Sequence, residues 1–232
     1  MLSDYGRWQY PKLTKPESDG TFCYQVQRRI SVWFSVRLAP IIGPHTATGI
    51  DLLLGVAAAV LVLLDHWLWG VILIQMFGIF SCVDGEIARI QDRSTRIGDF
   101  LDTLTDRSTE LLLVCAIALS LGDRIDPERA LTAGFALLGG VFLLTTSSEK
   151  FRSTWQMAYP KRRLERLACL FCAGSEARLL MLSIGLVVAE LSGSASFLFW
   201  TLWTLAIATY VNLLLRVGLI YRHYRAEDRS SA

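Results

Sequence analysis

Asp84-Gly85-x-x-Ala88-Arg89, then eight residues, then Gly98-x-x-x-Asp102-x-x-x-Asp106, sets three carboxylates and an arginine inside an otherwise apolar chain. A charge at bilayer depth costs roughly 2.5–3.5 kcal/mol even on an insertion scale, so acids gathered on apolar helices need a partner, most simply a cation. Gly98, Asp102 and Asp106 recur at intervals of four and share one helix face. Unneutralised, two carboxylates at that spacing disfavour the helix. A divalent ion reverses the sign, and oxygen-only ligands suit Mg2+ or Mn2+. The plainer alternative is a pair of solvated acids at a helix start.

Around this stretch the chain reads as a membrane protein. Of its 232 residues 53% are hydrophobic and 19% charged, and the charges gather between long uncharged runs. Trp67 to Val83, Ala130 to Ser148 and Leu191 to Leu215 carry no charge, and each approaches or exceeds the roughly 17–25 residues that cross a bilayer. Three further spans are inferred: Ala47 to His66, interrupted by Asp51 and Asp65; Gly98 to Leu121, which opens on the acidic cluster; and the short Glu176 to Ser192. Their charges fall near span ends or on a polar face. Phe22 to Leu38 mixes Tyr24, Ile30, Trp33 and Phe34 with Arg28, Arg29 and Arg37, as an amphipathic helix at the membrane surface or packed on the bundle does. The expected architecture is all-α and polytopic: a cytoplasmic segment 1–43 with this helix, a six-helix membrane domain 44–222 and a polar tail 223–232.

Basic residues concentrate at Arg28, Arg29 and Arg37, at Arg89, Arg93 and Arg96, between Lys150 and Arg166, and in the tail, which places both termini and the acidic motif on the cytoplasmic side. Met1 to Ser18 is polar and carries two prolines, unlike a cleavable signal. The five cysteines, Cys23, Cys82, Cys115, Cys169 and Cys172, suggest no disulfide framework. Cys169 and Cys172 have the spacing of a zinc or redox pair but no second pair. No nucleophile elbow, phosphate-cradling Gly-Lys-Ser/Thr loop or internal repeat is present. A transporter would call for inverted repeats or paired broken helices, and neither is seen.

The quoted pattern resembles the signature of the CDP-alcohol phosphotransferase family. Asp19-Gly20 with Lys15, Arg28-Arg29-Ile30-Ser31 and Pro44-His45-Thr46-Ala47-Thr48 resemble its N-terminal half, and Asp84-Gly85-Glu86-Ile87-Ala88-Arg89 is most similar to members that make dialkyl inositol phosphates. The resemblance implies a six-helix membrane enzyme, a homodimer, that joins the alcohol-phosphate of a CDP-alcohol to an acceptor hydroxyl and releases CMP in polar-lipid synthesis. It implies that Asp84, Asp102 and Asp106 hold two Mg2+ or Mn2+ ions and that Asp106 is also the general base. It implies that Thr48, Gly85, Ala88, Arg89, Thr95 and Gly98 touch the CDP moiety. Physically, Gly85 lets a nucleotide lie against its helix and Arg89, one turn on, reaches a phosphate. Lys150, Arg152 and Arg178 stand where relatives bind the phosphate of a polyol acceptor, and positive-inside charge is the plainer alternative for the Lys161 to Arg166 run. Membrane lipids are further partners, and no nucleic acid is expected. At this length there is no room for a separate cytidylyltransferase domain, so a partner enzyme is expected to supply the donor.

One position departs from the pattern. Its opening aspartate, three residues before Asp84, is Ser81 here. A neutral hydroxyl weakens metal binding. Three readings follow: a working enzyme with weaker sites, substitution by Asp99 or Glu86, or a relative that binds nucleotide or lipid without catalysing. Asp99, three residues before Asp102, is the better placed substitute.

Overall fold

The computed structural model describes residues 10–14, 19–165 and 167–230. Lys15 and Arg166 lie outside them. A single π-helical turn, Cys23–Gln27, runs into α1 (Arg28–Leu38). Six longer helices follow: α2 (Pro44–Leu63), α3 (Trp67–Ile90), α4 (Arg96–Gly122), α5 (Pro127–Trp155), α6 (Ser175–Ser192) and α7 (Ala195–Ser230). Short helical turns at Tyr10–Leu13, Lys161–Leu164 and Ala168–Phe171 complete the elements, and no strand occurs among the described residues.

Local chemistry sets the boundaries. Gly43 is extended before Pro44, whose fixed φ suits the first position of a helix. The Thr95 side chain accepts from the Gly98 amide at 3.1 Å and so caps α4, and Asp126 accepts from Arg129 ahead of Pro127 to start α5. Left-handed residues stop the helices: Asp65 (φ 61°) between α2 and α3, Gln156 (φ 54°) after α5 and Gly193 (φ 63°) after α6.

The six long helices close into a ring in the order α3, α2, α4, α5, α7, α6 and back to α3, with α1 laid against α3. Their shared interior is apolar, built from Val62, Trp67, Ile74, Leu113, Ile117, Leu137, Leu186 and Leu202 among others. The α2–α4 contact is close because Gly55 faces Thr109: a Cβ on Gly55 would overlap the threonine side chain. Outward faces are also apolar, with Leu53, Trp69, Phe142 and Leu214 each 67–72% exposed. A helix apolar on all sides belongs in lipid, and the chain is an integral membrane protein.

Of the six expected spans, α2, α3, α5 and α7 through Arg222 are long and apolar enough to cross a membrane. The other two are helices at the expected places but fall short of that standard: α4 begins with the acidic cluster, and α6, 18 residues long, carries Glu176, Arg178 and Glu190. Several of these charges are consumed inside the bundle. Arg178 on α6 donates to Glu110 on α4 at 2.6 Å, and Arg216 on α7 makes a two-pronged contact with Glu165 at 2.6 and 2.8 Å. Satisfied in this way, buried charges are tolerated.

The amphipathic N-terminal helix is polar on its buried side. Arg28, Ser31 and Ser35 face α3, where Glu86 accepts from Arg28 Nη1 (2.9 Å), Ser31 Oγ (2.8 Å) and Ser35 Oγ (2.7 Å). Ile30 and Trp33 point outward. Asp19 holds the other edge of the Arg28 guanidinium.

Candidate active site

The motif wraps one end of the bundle, with Asp84, Gly85, Ala88 and Arg89 on the last turns of α3 and Gly98, Asp102 and Asp106 on the first turns of α4. Between them the loop 91–95 turns through the left-handed Asp92, and Thr95 then caps α4. Across from both stands the first turn of α2, whose Thr48 donates to Asp84 Oδ2 at 2.7 Å.

Two cavities open here. The smaller, about 240 Å³, is lined by Thr48, Asp84, Gly85, Ala88, Arg89, Thr95, Gly98 and Asp102, together with His45, Arg93 and Asp99. Every residue expected to touch the nucleotide is therefore in one wall, with two of the three expected metal ligands. A Cβ on Gly85 would meet only the movable end of Arg89, 3.4 Å away, so the space beside the helix is open to a flat ligand. Arg89 donates its Nε to the Leu13 carbonyl at 2.9 Å, while its Nη2 is buried with no hydrogen-bond partner. A buried guanidinium nitrogen left unsatisfied suits an anionic oxygen.

The larger cavity, about 460 Å³, is polar and meets the smaller one at Asp102, which lines both. Asp106, Ser81, Arg107, Glu110, Arg152 and Lys161 are in its walls. Of the three expected phosphate-binding residues only Arg152 lines it. Lys150 is exposed on α5, away from the lining, and Arg178 is buried behind Glu110. The Arg178 Nε and Nη1 are taken by Glu110 and by the Cys172 carbonyl (2.7 Å), leaving a buried, unpartnered Nη2. Two cations outside that trio line the larger cavity, beside the paired Arg28. Arg107 follows Asp106 directly and binds Glu110 at 2.8 Å, and Lys161 reaches the lining from the turn after α5. Burial lowers the pKa of Lys161, with Arg216, Arg107 and Arg178 adding to the effect and Glu176 opposing it. The basic run contained Lys161, but nothing in a linear run of lysines and arginines says which one turns inward.

Neither proposed stand-in for the missing aspartate is free. Asp99 accepts from Arg152 at 2.6 Å. Glu86, two residues beyond Asp84, lies about 200° around the helix and has both oxygens engaged on the α1 side. Ser81 itself only bonds back to the Gly78 carbonyl at 3.5 Å. A further buried acid lies on α2: Asp51, with an Oδ1 that no donor reaches. It appears in the sequence merely as a charge interrupting an apolar run.

The donor set fits a hard divalent ion. Asp84, Asp102 and Asp106 would offer it oxygen atoms only, and the unpartnered Asp51 Oδ1 lies within reach of their charges. Among the described residues no three carboxylate, imidazole or thiol groups already converge on one point. The cysteine pair takes no part: both thiols are free and buried, and Cys172 Sγ lies 3.5 Å from the Ala208 carbonyl.

The class is an all-helical membrane bundle with two adjoining cavities at an acidic motif. Residues 42–211 match the CDP-alcohol phosphatidyltransferase family, and the chain belongs to it. It is 32% identical over 141 residues to a bifunctional IPC transferase and DIPP synthase of Thermococcus kodakarensis, a match covering 61% of this chain and 32% of the relative. The chain thus spans about a third of the length of that relative. A phosphatidylinositol phosphate synthase of Streptomyces avermitilis is 29% identical over 248 residues, covering 100% of this chain and 87% of the relative. The fold matches a crystal structure of Mycobacterium tuberculosis phosphatidylinositol phosphate synthase with CDP-DAG bound, at a TM-score of 0.65 and 19% identity over 83% of this chain and 94% of that one. The same protein has been crystallised in complex with manganese and citrate.

Proposed function

We propose that the protein is a metal-dependent transferase that moves an alcohol-phosphate from a CDP-alcohol to a hydroxyl of a phosphorylated polyol, with release of CMP. The observation that carries this reading is the smaller cavity: all six expected nucleotide contacts share one wall with Asp84 and Asp102. It shares Asp102 with a larger cavity lined by Asp106 and by Arg107, Arg152 and Lys161, beside the paired Arg28.

The chain's own groups divide the work. Thr48 and the α3 end orient Asp84. Arg89 offers its unsatisfied Nη2 to the pyrophosphate. Arg107, Arg152 and Lys161 draw the phosphate of the acceptor into the larger cavity and point its hydroxyl toward the junction. Asp106 accepts the hydroxyl proton as the oxygen attacks the phosphorus of the alcohol-phosphate. The new P–O bond forms as the bond to the CMP oxygen breaks, and CMP leaves with the electron pair. A divalent ion held by Asp84, Asp102 and Asp106 would supply charge neutralisation for the attacking and leaving oxygens.

In this reading α4 and α6 also cross the membrane, giving six spans, and α1 lies at the interface with Trp33 in lipid. Both termini and the active site face the cytoplasm, and the chain works as a homodimer. CMP release is the test, using the purified protein in lipid with Mg2+ or Mn2+, CDP-diacylglycerol or CDP-inositol as donor and inositol or glycerol phosphate as acceptor. Metal-dependent release, abolished in Asp106→Ala, is expected. Ser81 favours one second reading, a relative that binds the nucleotide without turning it over. CDP binding without CMP release from any donor would select it.

A further inference from the structure

We infer that Asp51, on α2, is a ligand of the divalent-cation site, supplying from that helix the carboxylate that α3 lacks at Ser81. The inference rests on the transfer reading above. Asp51 is 1% exposed, two turns into an apolar helix, and its Oδ1 is buried with no hydrogen-bond partner. Other acids of the bundle are satisfied: Glu86 by Arg28 and two serines, Glu110 by two arginines, Glu165 by Arg216 and Asn212. Among the described residues no lysine or arginine forms an ion pair with Asp51. A carboxylate left this way is costly, and groups of this kind call for an absent ligand.

The helix register says where Asp51 points. Thr48, Asp51 and Gly55 lie on one face of α2, at steps of three and four. Thr48 meets Asp84 on α3, and Gly55 meets Thr109 on α4. Asp51, between them, is therefore level with Asp106, one turn before Thr109. On α3, which runs the opposite way, it is level with Ser81, one turn before Asp84. The carboxylates whose charges act on Asp51 are Asp106, Asp84 and Asp102. Three acids from two helices thus line the two cavities, Asp51 stands level with them on a third, and Ser81 lines the larger cavity with its hydroxyl turned back on its own helix. Cation binding would neutralise such a group and fill its unpartnered Oδ1 in one step.

The test is Mn2+ binding by the full chain in lipid nanodiscs without substrate, read by calorimetry and by the free-Mn2+ paramagnetic resonance signal. Asp51→Asn, nearly isosteric, is expected to weaken Mn2+ binding by about tenfold or more, and Ser81→Asp on that background to restore it to within about threefold. Ser81→Asp alone is expected to change affinity less than about threefold. The inference is overturned if Asp51→Asn binds within about twofold of wild type, if Ser81→Asp does not rescue it, or if Ser81→Asp alone tightens binding tenfold or more. The last comparison keeps the inference falsifiable should Asp51→Asn not fold. Unchanged Mn2+ binding in Asp51→Asn alongside wild-type CMP release sinks this inference and leaves the transfer reading standing. Absence of Mn2+ binding in wild type sinks both. The expected Mn2+ series without CMP release from any donor sinks only the transfer reading.

Discussion

Replacing Arg178 by methionine separates its place in the bundle from the phosphate role expected of it. The guanidinium is 1% exposed and donates to Glu110 at 2.6 Å and to the Cys172 carbonyl at 2.7 Å. Removing one partner of a buried pair typically costs about 3–5 kcal/mol because the other charge is stranded. Here Glu110 keeps its bond to the partly exposed Arg107, at 2.8 Å, so the loss belongs near the low end, about 3 kcal/mol. At about 2–4 °C per kcal/mol for a chain of this size, the unfolding midpoint falls by about 6–12 °C. Adding Glu110→Gln removes the stranded charge and is expected to recover at least half of that loss. Thermal unfolding of the four proteins of this cycle in nanodiscs measures the coupling directly. If Nη2 also binds the acceptor phosphate, the stabilised double variant still shows a raised KM for acceptor with the donor KM unchanged. A drop below about 2 °C in Arg178→Met, or an additive cycle, refutes the buried-pair reasoning.

Arg89→Ala removes the unsatisfied Nη2 from the nucleotide wall. A charge-assisted hydrogen bond of about 1.5–3 kcal/mol corresponds to a rise of about 10- to 100-fold in the dissociation constant for CDP, read by calorimetry, with Arg89→Lys falling between. Gly55→Ala drives a methyl into Thr109 where α2 crosses α4, an overpacking cost of about 1–3 kcal/mol that Thr109→Ala should relieve, as thermal unfolding would show. Lys161, with its pKa lowered by burial, holds acceptor phosphate only below that pKa. Acceptor KM therefore climbs on the alkaline side earlier than an ordinary lysine would allow, and Lys161→Arg moves the climb to higher pH. Stability runs the other way: between the lowered folded pKa and the ordinary unfolded one the unfolded chain binds more protons, so this group makes folding more favourable as pH rises, a trend that Lys161→Met removes.

Position along the chain told a good deal here. The uncharged runs from Trp67 and Ala130 lie within α3 and α5, the run from Leu191 starts on the last turn of α6 and continues into α7, and the four-residue spacing from Gly98 to Asp106 lies in the first half of α4. Such features depend on periodicity and length, which are local. The use of each charge is not local, because it depends on which helix arrives opposite. Glu86 and Asp99 read as spare acids beside the motif, yet α1 and α5 bring Arg28 and Arg152 against them. Arg178 read as an anion site, and α4 brings Glu110 to it. Asp51 is the reverse case: a charge that read as an interruption in an apolar run ends buried and unsatisfied opposite the motif.

The same accounting explains how a bundle in an apolar solvent keeps so many acids. Pairing with arginine locks α1 to α3, α6 to α4 and α7 to the loop after α5, and these pairs are structural because each side finds its partner inside the chain. At the junction of the two cavities the balance differs. Asp84 receives the Thr48 hydroxyl, Asp106 has Arg107 as its neighbouring cation, and Asp51 keeps an oxygen that nothing reaches. Acids placed so closely repel one another in the unliganded protein, and a divalent ion that relieved the repulsion would gain affinity from it. Moving one carboxylate from α3 to α2 keeps that charge count while changing the helix it comes from. If Asp51 is that ligand, a Ser81 chain retains a divalent site, and the exchange between positions 51 and 81 is the substitution pair that distinguishes relocation of the ligand from its loss.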